Sequence, residues 1–189
     1  MTVITGKTEV LGDELASGIA VYRDKVLVEP LGSDLHTKNG EERDQFDRFD
    51  TLYVVAKADD GRISGCARLL PTTRPYLLGE VFPELMNGMA IPCSADVWEL
   101  SRFCAIDFNK RSMSALAQFS SAVATRLLHA SIACAAAHGA KRLITVAPVG
   151  IERLLQRSGV RAHRAGPPMI IDGHPVFACW IEIAPPGGA

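Results

Sequence analysis

Little in this chain of 189 residues points toward a membrane, a metal or a polyanion. Residues 1–18, MTVITGKTEVLGDELASG, contain no basic stretch followed by an uninterrupted apolar run, so neither a signal peptide nor a membrane anchor is expected there. Apolar stretches elsewhere are strand-sized or broken by charge and glycine, which makes the cytoplasm the expected compartment. The five cysteines, Cys66, Cys93, Cys104, Cys134 and Cys179, never form a C-x-x-C pair and are odd in number, which argues against a disulfide framework or a zinc knuckle. The five histidines, His36, His129, His138, His163 and His174, show no ligand spacing, so no metal is expected. With 20 Lys+Arg against 21 Asp+Glu, the net charge of −1 is too balanced for general nucleic-acid binding. Internal repeats, low-complexity linkers and long charge blocks are lacking too. One domain over 1–189 is therefore expected, with 183–189 as a frayed Pro/Gly-rich tail.

What is present is an alternation of strand and helix signals. Asp13 to about Val28 spaces Leu15, Ile19, Tyr22 and Val26 as one helical face. TLYVVAKA (51–58) and RISGCARLLP (62–71) flank Asp59-Asp60-Gly61, which predicts a hairpin. DVWELSRFCAI (96–106) reads as a strand and SALAQFSSAVATRLLHASIACAAAHG (114–139) as a long buried helix ending at Gly139. RLITVAP (142–148) is a fully apolar strand, GIERLLQRSG (150–159) a short helix and PVFACWIEI (175–183) a last strand. Strands before and after each long helix, with hairpins mixed in, point to an α/β three-layer sandwich: a central, twisted, mixed sheet with helices on both faces.

Three clusters hold polar residues that solubility alone explains poorly. In EERDQFDRFD (41–50), Glu42, Asp44 and Asp47 alternate with Arg43, Arg48, Phe46 and Phe49. Partly buried carboxylates need cationic partners, so the run suits a receptor for an amino group or a sulfonium; a solvated acidic loop is the alternative. Arg68 lies between Ala67 and Leu69 in an apolar strand, on the face shared by Cys66 and Leu70, and either pairs with a carboxylate or sits on an exposed edge strand. In WELSRF (98–103), strand alternation puts Glu99, Ser101 and Phe103 on one face and Trp98, Leu100 and Arg102 on the other. Such an acid-and-arginine-lined cleft could acylate an amine, with Glu99 taking its proton directly or through water and backbone N–H groups stabilising the oxyanion.

At these same residues the sequence resembles the LuxI-type acyl-homoserine-lactone synthases, which share the fold of the GCN5-related N-acetyltransferases. ERDQFD, GCARLLPTTRPYLL, VFPEL and VWELSRF recur in order, and RLITVAPVGIERLLQRSGVRAHRAGPP is similar to the family's C-terminal half. The resemblance implies an acyltransferase that makes an N-acyl-L-homoserine lactone quorum-sensing signal. S-adenosylmethionine serves as a substrate rather than a cofactor, an acyl-acyl-carrier protein or coenzyme A supplies the acyl group, and methylthioadenosine is released. It carries Arg23, Asp44, Asp47, Arg68, Glu99 and Arg102 into the charged site, with Glu99 and Ser101 at the chemistry. Leu27, Ser33 and Phe103 join the S-adenosylmethionine region.

Two of those positions depart from the pattern. The family segment resembles V-F-V-E-x-L-G-W where this chain reads V-L-V-E-P-L-G-S, with Leu27 for a Phe and Ser33 for a Trp. Two aromatic walls are thereby lost, so a divergent or inactive homologue with an altered amine-donor pocket, or an N-acyltransferase for another amine, is the alternative reading. The acyl pocket is expected among Leu100, Met113, Leu116, Phe119, Val123, Thr145 and Val146, with the Thr145 hydroxyl matching a position associated with 3-oxo chains; core packing is the alternative for each. An acidic carrier protein needs a basic dock, for which Lys141, Arg142, Arg153 and Arg157 are the candidates, the last two on one helical face. A monomer is expected.

Overall fold

The structure, a computed structural model, describes residues 1–28, 37–106, 108 and 121–184. In chain order, β1 (Thr2–Lys7), α1 (Thr8–Leu11) and α2 (Asp13–Arg23) lead into a wider π-type turn over Asp24–Val28. A short hairpin of β2 (Thr37–Lys38) and β3 (Glu41–Glu42) precedes β4 (Leu52–Lys57) and β5 (Ile63–Pro71). After α3 (Leu77–Val81) and a 3-10 turn at Pro83–Met86 come β6 (Val97–Cys104), α4 (Ala122–Ala137), β7 (Arg142–Pro148) and α5 (Ile151–Arg157). The chain closes with β8 (Ala162–Arg164), β9 (Met169–Ile171) and β10 (His174–Glu182). Strands pair in the order β1-β4-β5-β6-β7-β10-β8, with β9 on β10, so the expected α/β class with a large mixed sheet and flanking helices is what forms. No helix among the described residues is long and apolar enough to cross a membrane.

The backbone divides into two compact units that interleave along the chain: Met1–Arg68 with Arg102–Ala130, and Leu69–Ser101 with Ser131–Ala189. In the first unit, β1 lies antiparallel on β4 from Thr2↔Lys57 to Lys7↔Leu52. The expected β4–β5 hairpin turns at Gly61, whose φ of +85° only glycine adopts at no steric cost, and the turn closes with the Ala58 N–H on the Arg62 carbonyl at 2.8 Å. Both strands are buried on both faces, which is why they read as continuous apolar runs rather than alternating ones. A Cβ on Gly65 would meet the Cys104 carbonyl oxygen at 3.1 Å and Leu127 at 3.2 Å, so a side chain there would crowd β6 and the first half of α4.

The core of this unit gathers Ile19, Tyr22 and Val26 with Tyr53, Val55, Cys66 and Cys104, the helical face expected from the sequence. The helix itself is shorter than expected, α2 ending at Arg23 before the π-type turn takes over. In the second unit, β6 runs parallel to β7 (Glu99↔Ile144) and β7 antiparallel to β10 (Thr145↔Cys179), with Leu143, Ile144, Leu154, Leu155, Phe177 and Ala178 buried. Residues 114–120 of the expected long helix and 185–189 of the expected tail lie outside the described residues. Ile183, assigned to that tail, instead donates its N–H to the Lys141 carbonyl at 3.0 Å. β1 was not foreseen: TVITGK alternates too weakly to signal a strand.

One clasp fixes α2 within its unit. The Tyr22 hydroxyl donates to the Ile106 carbonyl at 2.9 Å and accepts from the Ile106 N–H at 2.8 Å. Tyr22→Phe keeps the ring but strands both backbone groups, so thermal or urea unfolding should show a loss of about 1–3 kcal/mol.

Candidate active site

The first unit buries six charged side chains that pair into a closed ring of alternating sign. Arg23 comes from the last residue of α2, Glu42 from β3, Arg68 from β5 and Arg102 from β6, while Asp44 and Asp47 come from the loop after β3. That loop organises itself: the Asp44 N–H donates to Asp47 Oδ2, the Phe46 N–H to Asp44 Oδ1 and the Asp47 N–H to the Asp44 carbonyl. Both aspartates are thus aimed before any arginine arrives. The Thr51 hydroxyl pins the loop from the other end, donating to the Phe46 carbonyl at 2.7 Å.

Around the ring, Arg23 binds Glu42 through Nε and Asp47 bidentately at 2.8 and 3.0 Å. Arg68 binds Asp47 at 2.9 Å and Asp44 bidentately at 2.5 and 3.0 Å. Arg102 closes the circuit, on Glu42 at 2.8 and 3.1 Å and on Asp44 at 2.8 Å. Each arginine bridges two carboxylates and each carboxylate two arginines, so three positive and three negative charges cancel. No member's side chain is more than 11% exposed. Burial of unbalanced charge would cost several kcal/mol per ion, which is why the ring has no odd member. The Tyr53 hydroxyl donates to Asp47, and the Arg68 guanidinium lies 5.6 Å from the Phe46 ring centre.

Burial by itself would push Asp47 toward the protonated form. The Arg23 charge and hydrogen bonds, then Arg68 and Tyr53, outweigh it and hold the carboxyl well below the usual carboxylate range. For Arg23 and Arg68 burial likewise works against the charge, and Asp47, joined by Glu42 and Tyr53 for Arg23 and by Asp44 for Arg68, more than compensates, raising both.

Arg102 has φ +51°, left-handed backbone inside a strand. The regular alternation expected along WELSRF is therefore interrupted at Arg102. The residues before the break belong to the second unit. There Glu99 is fully buried, and its carboxylate accepts the Leu77 N–H at 3.1 Å and the Leu78 N–H at 2.7 Å at the start of α3. Ser101 and Leu100 are also buried.

Among the other expected site residues, Leu27 packs against the core cluster of the first unit and Val123 is buried, while Phe103 and Val146 are half-buried. Thr145 is buried on β7, its hydroxyl 3.4 Å from the Val146 carbonyl. Lys141, Arg142, Arg153 and Arg157 are exposed; Lys141 pairs with Asp96 at 3.5 Å and Arg142 lies 4.6 Å over Trp180. Ser33, Met113, Leu116 and Phe119 lie outside the described residues. Sequence reasoning left Glu42 and Tyr53 out of the site. Glu42 stood in the acidic run and its neighbours' pairing needs called for it, whereas Tyr53 carried no signal beyond being a tyrosine in an apolar strand.

The β2–β3 hairpin, with Thr37, Lys38, Asn39, Glu41 and Arg43, lines a hollow of about 760 Å³, within the size range of small-molecule sites.

Comparison with known proteins places these residues in context. Residues 12–184 match the family model described as "Autoinducer synthase". The acyl-homoserine-lactone synthase of Acinetobacter nosocomialis is 53% identical over 183 residues, covering 97% of this chain and all of that protein. The solved structure of TofI in a ternary complex with an inhibitor and MTA superposes with a TM-score of 0.84 at 46% identity, covering 97% of this chain and 92% of that one. A putative N-acetyltransferase from Lactobacillus plantarum shares the fold at a TM-score of 0.63 and 15% identity, covering 97% and 98% of the two chains.

An aspartate with a lowered folded-state pKa stabilises fully above its unfolded value near pH 4 and loses that contribution as the pH falls further. Asp47→Asn should therefore cost about 3–5 kcal/mol at neutral pH and flatten the loss of stability between about pH 4 and 2, measured by urea unfolding across that range.

Proposed function

Because the chain belongs to the autoinducer synthase family, we propose that it is an acyltransferase making an N-acyl-L-homoserine lactone from S-adenosylmethionine and an acyl thioester, with release of methylthioadenosine. The observation that carries the reading is the ring. The amino-acid end of S-adenosylmethionine is a zwitterion. Opening one arginine–carboxylate link of a neutral alternating ring presents one cation and one anion, which such an end can satisfy without leaving a buried charge unpaired. Asp44, Asp47, Arg68 and Arg102 would wall the amine donor on this reading, with Arg23 and Glu42 as their support. The MTA bound by TofI is consistent with methylthioadenosine as the by-product.

On the acyl side, the amine nitrogen attacks the thioester carbonyl, loses a proton and expels the thiol; the carboxylate oxygen then displaces the sulfonium sulfur to close the lactone. Glu99 is assigned the amine's proton, through a water, with Ser101 two residues along the same face of β6. Two amide N–H bonds hold the Glu99 carboxylate in one orientation, as a base requires. Leu100, Val123, Thr145 and Val146 are assigned to the acyl chain. An acyl-acyl-carrier protein is the preferred donor over coenzyme A, since exposed Arg153 and Arg157 sit four residues apart on α5. The chain would act as a cytoplasmic monomer of one domain.

A second reading, acylation of a different amine, is favoured by Leu27, an aliphatic core residue where the family pattern has an aromatic wall.

Purified protein mixed with S-adenosylmethionine and acyl-carrier-protein or coenzyme A thioesters of several chain lengths should yield methylthioadenosine and an acyl-homoserine lactone by mass spectrometry. Neither product across the whole series would sink the proposal, and a stable N-acyl product without lactone would favour the second reading. Glu99→Gln should lower kcat at least about a hundredfold, the size of a lost general base, while leaving KM for S-adenosylmethionine near its original value.

A further inference from the structure

Asp47 is tied to a neutral side chain, Tyr53, as well as to two arginines. The Tyr53 hydroxyl donates to Asp47 Oδ1 and receives a long bond from Arg23 Nη1 at 3.4 Å. The same Oδ1 accepts from Arg23 at 2.8 Å and Arg68 at 2.9 Å, so three groups converge on one oxygen. Tyr53 belongs to β4, where Gly6 of β1 faces it in register, and its ring is 5% exposed among Ile19, Tyr22, Val26, Val55, Cys66 and Cys104. A phenylalanine would fill that apolar site equally well. The oxygen is therefore not accounted for by packing; it donates to Asp47 and receives only the long bond from Arg23.

The link from Arg68 to Asp47 is a single hydrogen bond, whereas Arg68 holds Asp44 with two. The one-bond link to Arg68 is a weaker tether on Asp47 than the bidentate link to Arg23, so a displaced carboxylate would part from Arg68 first. The Tyr53 hydroxyl opposes that displacement, because it binds the oxygen on which both arginines converge. We infer that Tyr53 is a positioning residue for the amine donor: by holding Asp47 as the bridge between Arg23 and Arg68, it keeps the ring closed at that corner and sets the guanidinium of Arg68 toward the ligand. The inference rests on the proposed reading of the ring as the amine-donor site.

Tyr53→Phe keeps the buried ring and removes only the hydroxyl. Steady-state kinetics should show KM for S-adenosylmethionine rising about tenfold, the size of one hydrogen bond to a charged group, with kcat and KM for the acyl thioester within about twofold of the parent. A purely structural role would lower the folded fraction and hence apparent kcat alone, leaving both KM values in place. That result, an unmoved KM for S-adenosylmethionine, or an equal rise in both KM values would each overturn the inference. An unaltered parent protein that binds S-adenosylmethionine in calorimetry but forms no lactone would refute the proposed reaction instead. Tyr53 would then be judged by the same tenfold loss in calorimetric affinity.

Discussion

Buried charge is tolerable in this protein only because it is balanced, and that constraint shapes the first unit from its backbone outward. Six ions are taken out of water, and each must find two partners of opposite sign. The partners are supplied by α2, β3, the following loop, β5 and β6, so each of those elements has its position fixed by a geometric requirement more exacting than apolar packing. Apolar attraction is non-directional, whereas bidentate guanidinium–carboxylate pairs fix orientation as well as distance. The left-handed backbone at Arg102 is the visible local cost. A regular strand would send the next side chain along the pleat, and the residue instead takes a strained conformation where its guanidinium reaches Glu42 and Asp44.

The second unit handles its one fully buried acid differently. The first two N–H groups of α3 take the Glu99 oxygens. A helix start offers donors and partial positive charge, which favour a carboxylate there. The two arrangements suit different tasks. A ring of exchangeable ion pairs can admit a charged ligand by swapping partners, while a carboxylate held by main-chain amides stays put.

How much of this the sequence disclosed depended on periodicity. The hairpin around Gly61, the apolar strand 142–148 and the short helix before Gly159 were legible because their patterns are local. Arg68 was legible as an anomaly, an arginine inside an apolar strand, and Asp44 and Asp47 as acids among aromatics. What periodicity alone could not convey was which acid meets which arginine. The run 41–50 reads as a receptor for an outside cation, yet its carboxylates are met by the protein's own arginines, because three arginines scattered from residue 23 to residue 102 carry no local mark of a shared destination. Strand alternation through Arg102 failed for a related reason: a single left-handed residue is dictated by the partners of its side chain, not by its neighbours. β1 was missed since an edge strand with one face exposed needs little hydrophobic pattern.

The order in which the ring's members appear along the chain has a consequence for the protein's birth. Arg23, Glu42, Asp44, Asp47 and Arg68 are all made before Arg102, and the ring lacks one positive charge until that residue emerges. At about 5–20 residues per second, the ribosome takes roughly 2–7 seconds to travel from Arg68 to Arg102. During that interval the incomplete ring holds three acids against two arginines, and the unpaired charge disfavours its burial. Its closure waits on β6, which ties completion of the N-terminal half to synthesis of the strand that begins with the other unit's residues.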